Sequence, residues 1–348
     1  MKYFLFGVLI ALGGIGMFFS QKNFEKTTTN VVEKMLEKKI ETPARPYIEI
    51  QNPSGFVNTS GITIGEHVGK KVVLVDILTY SCINCIRTFP YLNAWYDKYK
   101  DDGLEIIGIH TPEFAFEKKK ENVEEAMQKF GIKFPIVLDN DYSTWRAYKN
   151  NYWPRKYLID INGNIVYDHI GEGAYDETEK KIQELLEERK QKLGLDMNIE
   201  KDVTQPGGVQ APPTEKVSRE TYFGAARSEG IGNGNIKVGV VQTFTQPKEI
   251  KPDTVYLVGD WQFTDEYLES KSKNAKIIFR YTAKNVFFVG SSVGKNNLKI
   301  SKDGSVYQNV TVQNEELYTL IQDPQSGTHT LEILIPEPGL QAFTFTFG

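Results

Sequence analysis

Hydrophobic and polar positions follow two different patterns along this chain. Between residues 72 and 193, apolar runs of strand length alternate with amphipathic segments of helical length. From residue 236 onward, short alternating runs recur between turns that contain Gly with Asn or Asp. The first pattern predicts an α/β sheet, and the second predicts an all-β sandwich.

The predicted elements can be placed along the sequence. In the first half, strands are predicted at 72–78, 104–109, 134–138, 156–161 and 165–170. Helices are predicted between them at 82–100, 121–130, 142–149 and 176–193. In the second half, strands are predicted at 236–243, 255–258, 277–281, 286–289, 298–301, 306–312, 317–321, 329–334 and 343–347.

The same pattern suggests a division of the chain into five parts. A signal anchor or signal peptide is predicted at 1–22 and a polar stalk at 23–44. An α/β domain at 45–195 and a Pro/Gly linker at 196–216 follow, and a β-sandwich domain fills 217–348. A linker of this composition predicts that the last domain folds independently.

The N-terminal segment carries a targeting signal. Residues 3–19 contain no charge and are just long enough to span a bilayer. Because bulky residues occupy the place of a small-residue cleavage site, we expect a retained single span rather than a cleaved peptide. The remainder of the chain would then lie outside the cytoplasm, at the cell membrane, or would be secreted if the segment is cleaved.

The charge balance excludes one class of partner. The formal net charge is −4, and no stripe of Lys and Arg stands out. We therefore expect no nucleic-acid partner.

Both cysteines of the chain lie in one C-x-x-C motif, Cys82 and Cys85, directly after an apolar run. A strand that leads into a C-x-x-C at the start of a helix is typical of reversible dithiol chemistry. The helix N-terminus favours a thiolate on Cys82, and Cys85 lies one turn away. A zinc site needs more ligands than this motif supplies, and two inert buried cysteines are the other alternative.

Three further positions fit redox chemistry. Asp76 lies six residues before Cys82 and could relay the Cys85 proton if it is buried, although a half-exposed strand position is the alternative. Pro90 would kink the helix that Cys82 begins. Trp153-Pro154 precedes a predicted strand, where a cis proline would expose backbone groups to a substrate, although an X-Pro bond is ordinarily trans.

Several motifs together resemble the thioredoxin superfamily, specifically its exported TlpA/DipZ-like branch. They are Tyr80-Ser81-Cys82-Ile83-Asn84-Cys85, Gly108-Ile109-His110-Thr111-Pro112-Glu113-Phe114, Leu138-Asp139-Asn140-Asp141-Tyr142, Trp153-Pro154-Arg155-Lys156, Gly259-Asp260-Trp261 and the segment 342–348. The resemblance covers about residues 50–348. It implies a thioredoxin-like domain followed by a jelly-roll sandwich that is similar to carbohydrate-binding modules.

The resemblance also implies the roles of individual residues. Cys82 would be the nucleophile, Cys85 the resolving cysteine, Asp76 the buried acid and Pro154 the cis proline. No cofactor beyond the Cys82–Cys85 redox disulfide is implied.

The chain departs from the family pattern in two ways. Thr88 occupies a position where many TlpA-like reductases carry an acid, and Glu113 is a candidate to replace it, with an exposed loop acid as the alternative. Trp153 and Arg155 are candidate accessory residues. DipZ proteins also carry a multi-pass membrane domain that brings electrons across the bilayer, whereas this chain has one candidate span.

The main hypothesis is a membrane-tethered, extracytoplasmic thiol–disulfide oxidoreductase that reduces exported disulfide-containing proteins. Its electrons would come from a separate integral membrane thiol carrier of the CcdA or DipZ membrane-domain type. A glycan-binding or adhesion protein with a vestigial thioredoxin-like domain is the alternative, and a peroxiredoxin-like peroxidase is a third hypothesis. Aromatic residues of the second domain could stack on a glycan; they are Trp261, Phe263, Tyr267, Phe279, Tyr281, Phe287, Tyr307, Phe343, Phe345 and Phe347. Phe343, Phe345 and Phe347 alternate along the sequence, so we expect their rings to share one face of a strand, and core packing is favoured.

Overall fold

The computed structural model describes residues 45–207 and 215–348. The predicted anchor and stalk, and part of the predicted linker, lie outside the described residues. Within the described ranges, no helix is both long and apolar enough to cross a membrane. Pro46–Gly348 forms one unit that contains two β-sheets.

The first sheet has six strands in the order β1-β4-β3-β2-β5-β6. Strands β2, β3 and β4 are parallel, and the other neighbouring pairs are antiparallel. The strands are β1 Gly55–Val57, β2 Val72–Leu78, β3 Leu104–His110, β4 Ile136–Leu138, β5 Arg155–Ile159 and β6 Ile165–Ile170. The helices are α1 Ile83–Tyr99, α2 Lys120–Lys129, α3 Ser143–Ala147 and α4 Tyr175–Leu193. Short 3₁₀ helices cover Gly65–His67 and Ala115–Lys118.

The middle of this sheet is buried on both faces. Every residue of β2 and of β3 is buried, as expected for nearly continuous runs of Val, Ile and Leu in a parallel sheet. On one face the core includes Phe89, Leu92 and Trp95 of α1. The strand that leads to Cys82 is therefore held from both sides, and the α/β prediction is confirmed.

Among the helices, the largest boundary error concerns the one predicted at 142–149. The structure limits α3 to Ser143–Ala147 because Tyr142 and Lys149 both take positive φ angles, of 62° and 50°. A helix cannot continue through that conformation.

The predicted linker begins later than the composition suggests. Ile199 is only 2% exposed and belongs to the core of the first domain. The carboxylate of Glu179 accepts hydrogen bonds from the backbone and the side chain of Thr204, at 2.7 Å each. Residues 196–207 thus pack on the first domain.

The second sheet is a nine-stranded network in the order β13-β12-β14-β11-β15-β10-β9-β8, and β7 also pairs with β15. Its strands are β7 Thr221–Tyr222, β8 Val241–Phe244, β9 Val255–Phe263, β10 Leu268–Ser270, β11 Ala275–Ser292, β12 Asn296–Lys302, β13 Ser305–Val312, β14 Glu316–Ile335 and β15 Leu340–Phe347. The strand predicted at 236–243 is shortened to β8, with Gly239 at a φ of 76° before it.

The long strand β11 closes this network. Its first part pairs with β9 and its last part pairs with β15, while β14 runs along its other side. The strands consequently wrap in a barrel-like arrangement around one hydrophobic core. Among the aromatic residues considered for glycan stacking, all except Tyr267 and Tyr307 are buried, which confirms the core-packing interpretation.

Phe343 departs from the alternation expected of its strand. Val289 is paired with Thr344 but Gly290 with Ala342, so Phe343 is the extra residue of a β-bulge. Phe345 enters the core of the second domain, whereas Phe343 faces the first domain. The prediction that both rings share one face is therefore wrong.

The bulge joins the two domains. The centroid of the Phe343 ring lies 5.2 Å from that of Phe114 and 4.9 Å from that of Phe116, and both pairs pack edge to face. Val289 belongs to the same hydrophobic cluster as the first domain. The domains share buried apolar surface, contrary to the independence that the linker predicts.

Phe343→Ala should lower the free energy of unfolding by about 3–5 kcal/mol, because it leaves a cavity between the domains. Phe343→Leu should lower the free energy of unfolding by less than about 1.5 kcal/mol, since the leucine side chain fills most of the volume of the phenylalanine ring. Urea unfolding monitored by circular dichroism measures both. A loss below about 1 kcal/mol for the Ala variant would show that the interface contributes little.

Candidate functional site

Cys82 stands at the point where β2 ends and α1 begins. It is the N-cap residue of α1, with an extended backbone at φ −79° and ψ 119°, and its carbonyl accepts the first helical hydrogen bond from Ile86. The free N–H groups of the first turn and the helix dipole favour negative charge there. The Cys82 thiol is partly exposed, Cys85 is buried, and both are free thiols.

The loop before β5 lies against the Cys82 thiol. The Trp153–Pro154 peptide is cis, as the family resemblance implies. The Cys82 thiol approaches the carbonyl oxygen of Trp153 at 3.9 Å. The Trp153 indole donates to the carbonyl of Thr111 at 3.0 Å, and its ring packs on Trp145 with the centroids 4.3 Å apart. The predicted cis proline and the nucleophile are therefore neighbours.

Asp76 lies behind the cysteines and is completely buried, which excludes the alternative of a half-exposed strand position. Burial raises the pKa of Asp76 to about 7, against a smaller lowering by Lys156. Among the described residues, neither carboxylate oxygen has a hydrogen-bond partner. Burial, together with the nearby Cys82 and Asp76, raises the pKa of the Cys85 thiol. Asp76 can thus take up a proton near neutral pH.

Lys156 is a site residue that the sequence analysis did not identify. It is completely buried, and its backbone is paired with that of Asp76 across β2 and β5. Its ammonium group donates to the carbonyl of Gly171 at 3.3 Å, and burial lowers its pKa. A lysine within a buried strand was the available signal, but only the strand register shows that it faces Asp76.

Glu117 is a second residue that the sequence analysis missed. Its carboxylate is completely buried and accepts hydrogen bonds from the hydroxyl of Ser81 at 2.6 Å and from the backbone N–H of Ser81 at 3.3 Å. It also accepts from the backbone N–H groups of Glu113 and Phe114. Burial raises its pKa to about 7. Glu117 thereby holds the residue next to Cys82.

The candidate replacement acid, Glu113, is turned toward the second domain. Its carboxylate accepts from the Tyr222 hydroxyl at 2.9 Å and from the Arg227 guanidinium at 2.7 Å. Arg227 also stacks over the Tyr222 ring at 3.4 Å. These contacts give Glu113 a part in joining the domains, and they do not support its predicted influence on the thiols.

Arg155 and Thr88, the remaining positions discussed from the sequence, form contacts that hold the fold together. Arg155 forms an ion pair with Asp168 at 3.0 Å. Thr88 is buried, and its hydroxyl donates to the carbonyl of Asn84 at 2.9 Å within α1. In residues 45–207 and 215–348, no group of three or more His, Cys, Asp or Glu side chains is placed to hold a metal ion.

Two family matches coincide with the two domains. The Redoxin family matches residues 57–186, and the family described as Thioredoxin like C-terminal domain matches residues 218–348. The first covers the C-x-x-C motif, Asp76 and Pro154, and the second covers the nine-stranded sheet.

Known proteins are similar to one or both domains. Protein DipZ of Mycobacterium tuberculosis is 35% identical over 306 residues, which are 86% of this chain and 42% of DipZ. This chain thus spans about two fifths of the length of the DipZ proteins that it matches. Thiol-disulfide oxidoreductase YkuV of Bacillus subtilis is 26% identical over 144 residues, covering 41% of this chain and 96% of YkuV. A solved structure of a thiol-disulfide isomerase from Corynebacterium glutamicum covers 41% of this chain and 97% of its own, at 23% identity and a TM-score of 0.38.

Asp76→Asn should stabilise the protein above neutral pH. The pKa of Asp76 rises from an ordinary 3.8 to about 7 on folding, so its contribution to stability is lost as the pH increases across that window. The variant lacks this loss. The difference in free energy of unfolding between variant and wild type should therefore grow in favour of the variant by about 1.4 kcal/mol per pH unit and level off above pH 7.

Urea unfolding of wild type and variant at several pH values between 4 and 9 measures the difference. Asp97→Asn is the matched control, because Asp97 is an exposed carboxylate outside the site. A constant difference between Asp76→Asn and wild type at all pH values would contradict the burial of an ionisable Asp76.

Proposed function

Because this chain belongs to the thioredoxin superfamily, we propose that it is a thiol–disulfide oxidoreductase that reduces protein disulfides through Cys82 and Cys85. The observation that carries the proposal is the unequal placement of the two thiols. Cys82 is partly exposed at the start of α1, whereas Cys85 is buried beside Asp76. A substrate can reach the first thiol, and the second is kept for the intramolecular step.

In the first step, the Cys82 thiolate attacks one sulfur of a substrate disulfide. The substrate S–S bond breaks, a mixed disulfide with Cys82 forms, and the released substrate thiolate takes a proton from water. The carbonyl of Trp153, beside the Cys82 thiol, provides a backbone acceptor next to the cis proline for the incoming polypeptide.

In the second step, Asp76 accepts the Cys85 proton. The resulting Cys85 thiolate attacks the Cys82 sulfur, the mixed disulfide breaks, and the second substrate thiolate leaves. Because burial raises the pKa of the Cys85 thiol, this step needs a base. The buried ammonium group of Lys156 favours the anionic forms of both Asp76 and Cys85. The two electrons delivered to the substrate leave Cys82 and Cys85 as a disulfide.

We also propose that the protein acts outside the cytoplasm, attached by the apolar segment within residues 1–22. That segment lies outside the described residues, and its uncharged length supports the proposal. Exported disulfide-containing proteins would be the substrates. The glycan-binding alternative is less supported, because most aromatic rings of the second domain are buried in its core.

Purified protein should accelerate the reduction of insulin by dithiothreitol, and Cys82→Ser should abolish the acceleration because the attacking thiolate is lost. Turbidity of the precipitating insulin B chain measures the rate. Equilibration with glutathione buffers fixes the direction: a potential near −270 mV supports a reductant, and one near about −120 mV supports an oxidant. Failure of the wild-type protein to accelerate insulin reduction would contradict the proposal.

An electron donor must recharge the oxidised pair, and we propose an integral membrane thiol carrier similar to the membrane domain of DipZ proteins. The carrier's thiolate would attack the Cys82 sulfur of the Cys82–Cys85 disulfide, which forms a mixed disulfide with Cys82 and releases the Cys85 thiolate. The carrier's second thiolate would then attack the carrier's sulfur, which releases Cys82 as a thiolate and leaves the carrier as a disulfide. Cys85→Ser should trap Cys82 adducts in intact cells, and mass spectrometry of the adducts identifies the partners.

Cys82→Ser/Cys85→Ser is the control for non-specific capture. Recovery of exported proteins alone, with the wild-type pair fully oxidised in cells, would contradict a reductase and favour an oxidase.

A further inference from the structure

A cleft of about 710 Å³ lies between the two domains, next to the helix that Cys82 begins. One wall is formed by α1, which contributes Ile83, Ile86 and Pro90. The opposite wall is formed by the second domain, including Leu317 and Thr319 of β14. A cavity of this volume is within the range of binding sites in proteins.

The cleft continues the helix face on which the nucleophile lies. Cys82, Ile86 and Pro90 are spaced four residues apart, and residues at this spacing are neighbours along one side of a helix. Ile86 and Pro90 line the cleft, and so do Tyr80 and Ile83, which flank Cys82 in the sequence. Cys82 is not itself a lining residue, but it begins the same stripe. A chain that lies in the cleft can therefore pass directly to the attacking sulfur.

The lining combines apolar contacts with amide groups. Ile86 and Leu317 present partly buried apolar surface. Side-chain amides of Asn122, Gln313 and Gln341 also line the cleft. Gln313 supplies donors and an acceptor, whereas Gln341 supplies donors because its oxygen accepts from Ser291, and Asn122 supplies an acceptor because its nitrogen donates to Phe116 and Glu315. This mixture matches a polypeptide, whose backbone carries one donor and one acceptor at almost every residue.

A glycan fits the same cleft less well. The aromatic rings of Tyr80, Phe89 and Phe287 line the cleft but are at most 4% exposed. They cannot present an open face to a sugar ring. Phe130 also lines the cleft and is partly exposed, but the Lys129 ammonium group lies over its ring at 6.0 Å.

The charges of the rim also favour a polypeptide without strong negative charge. Glu315 and Glu316 of the second domain are paired with Lys119 and Lys129 of the first. These pairs neutralise the two lysines. The lining residue Arg87 is buried and paired with Glu172 at 3.0 Å, while the exposed Glu125 adds a further negative charge. An acidic segment would meet repulsion here, whereas a neutral or basic one would not.

We propose that this cleft binds the polypeptide segment on one side of the substrate disulfide, as a neutral or basic extended chain with apolar side chains. The inference rests on the proposed oxidoreductase function and adds a substrate-binding role for the second domain. The loop that contains Trp153 and Pro154 also contacts the Cys82 thiol, but this loop belongs to the first domain alone. The cleft would make protein substrates, but not small disulfides, depend on the second domain.

Thr319→Trp tests the proposal by filling the cleft from an exposed position on β14. The variant should lower kcat/KM for insulin about tenfold, through KM, because it displaces an anchoring contact. Reduction of the small disulfide 5,5′-dithiobis(2-nitrobenzoate) should stay at the wild-type rate. Thr311→Trp, a substitution at an exposed residue of β13 that does not line the cleft, should resemble wild type on both substrates.

Each alternative result has a defined meaning. Equal kinetics of Thr319→Trp and Thr311→Trp with insulin would overturn the cleft proposal. A parallel loss on both substrates would also overturn it, because the substitution would then act on Cys82 itself. If wild-type protein reduces neither substrate, the proposed function fails rather than the assignment of the cleft alone.

Hydrogen exchange tests the cleft proposal without any Trp substitution in the cleft. Cys85→Ser protein is prepared as a mixed disulfide on Cys82 with insulin B chain or with cysteamine. Backbone amides of residues 313–319 should exchange at least about tenfold more slowly in the B-chain adduct only. Equal exchange in both adducts would overturn the proposal. Protection of these amides by a chitooligosaccharide, without protection by the B chain, would overturn it in favour of a glycan site.

Discussion

The contact between residues 113–117 and the second domain is the constraint on which the rest of the molecule depends. Phe114 and Phe116 pack against Phe343, and Glu113 is paired with Arg227. The same segment contains Glu117, whose carboxylate holds Ser81 beside the nucleophile. One short segment thus fixes both the orientation of the domains and the turn that precedes Cys82.

The site also depends on two buried ionisable side chains whose charges are incompletely compensated by hydrogen bonds and by each other. Asp76 and Lys156 lie opposite each other within the sheet, and both are completely buried. Burial favours the neutral form of each side chain and moves both pKa values toward neutrality. A fully hydrogen-bonded Asp76 would have stayed ionised, whereas this arrangement lets it gain and lose a proton near pH 7. The proposed proton transfer from Cys85 uses that property.

The sequence predicted what local patterns determine. A strand followed by a C-x-x-C placed Cys82 at the start of α1, and the apolar strand before it implied that Asp76 could be buried. Long-range register was not readable in the same way. Lys156 faces Asp76 only through the pairing of β2 with β5, and Phe343 faces the first domain only through a bulge opposite Val289 and Gly290. Simple alternation assigned that ring to the wrong face because an extra residue reverses every side chain beyond it.

The two sides of Cys82 are built differently, and this difference bears on how the chemistry and the specificity can be separated. The side with the cis Trp153–Pro154 peptide belongs to the first domain, together with Asp76 and Lys156. The other side is a cleft to which both domains contribute. Substitutions on β14 can reshape the cleft while the dithiol and its buried acid stay unchanged. With the proposed docking role, the second domain would select among polypeptides, and the first domain would set the redox chemistry that all of them undergo.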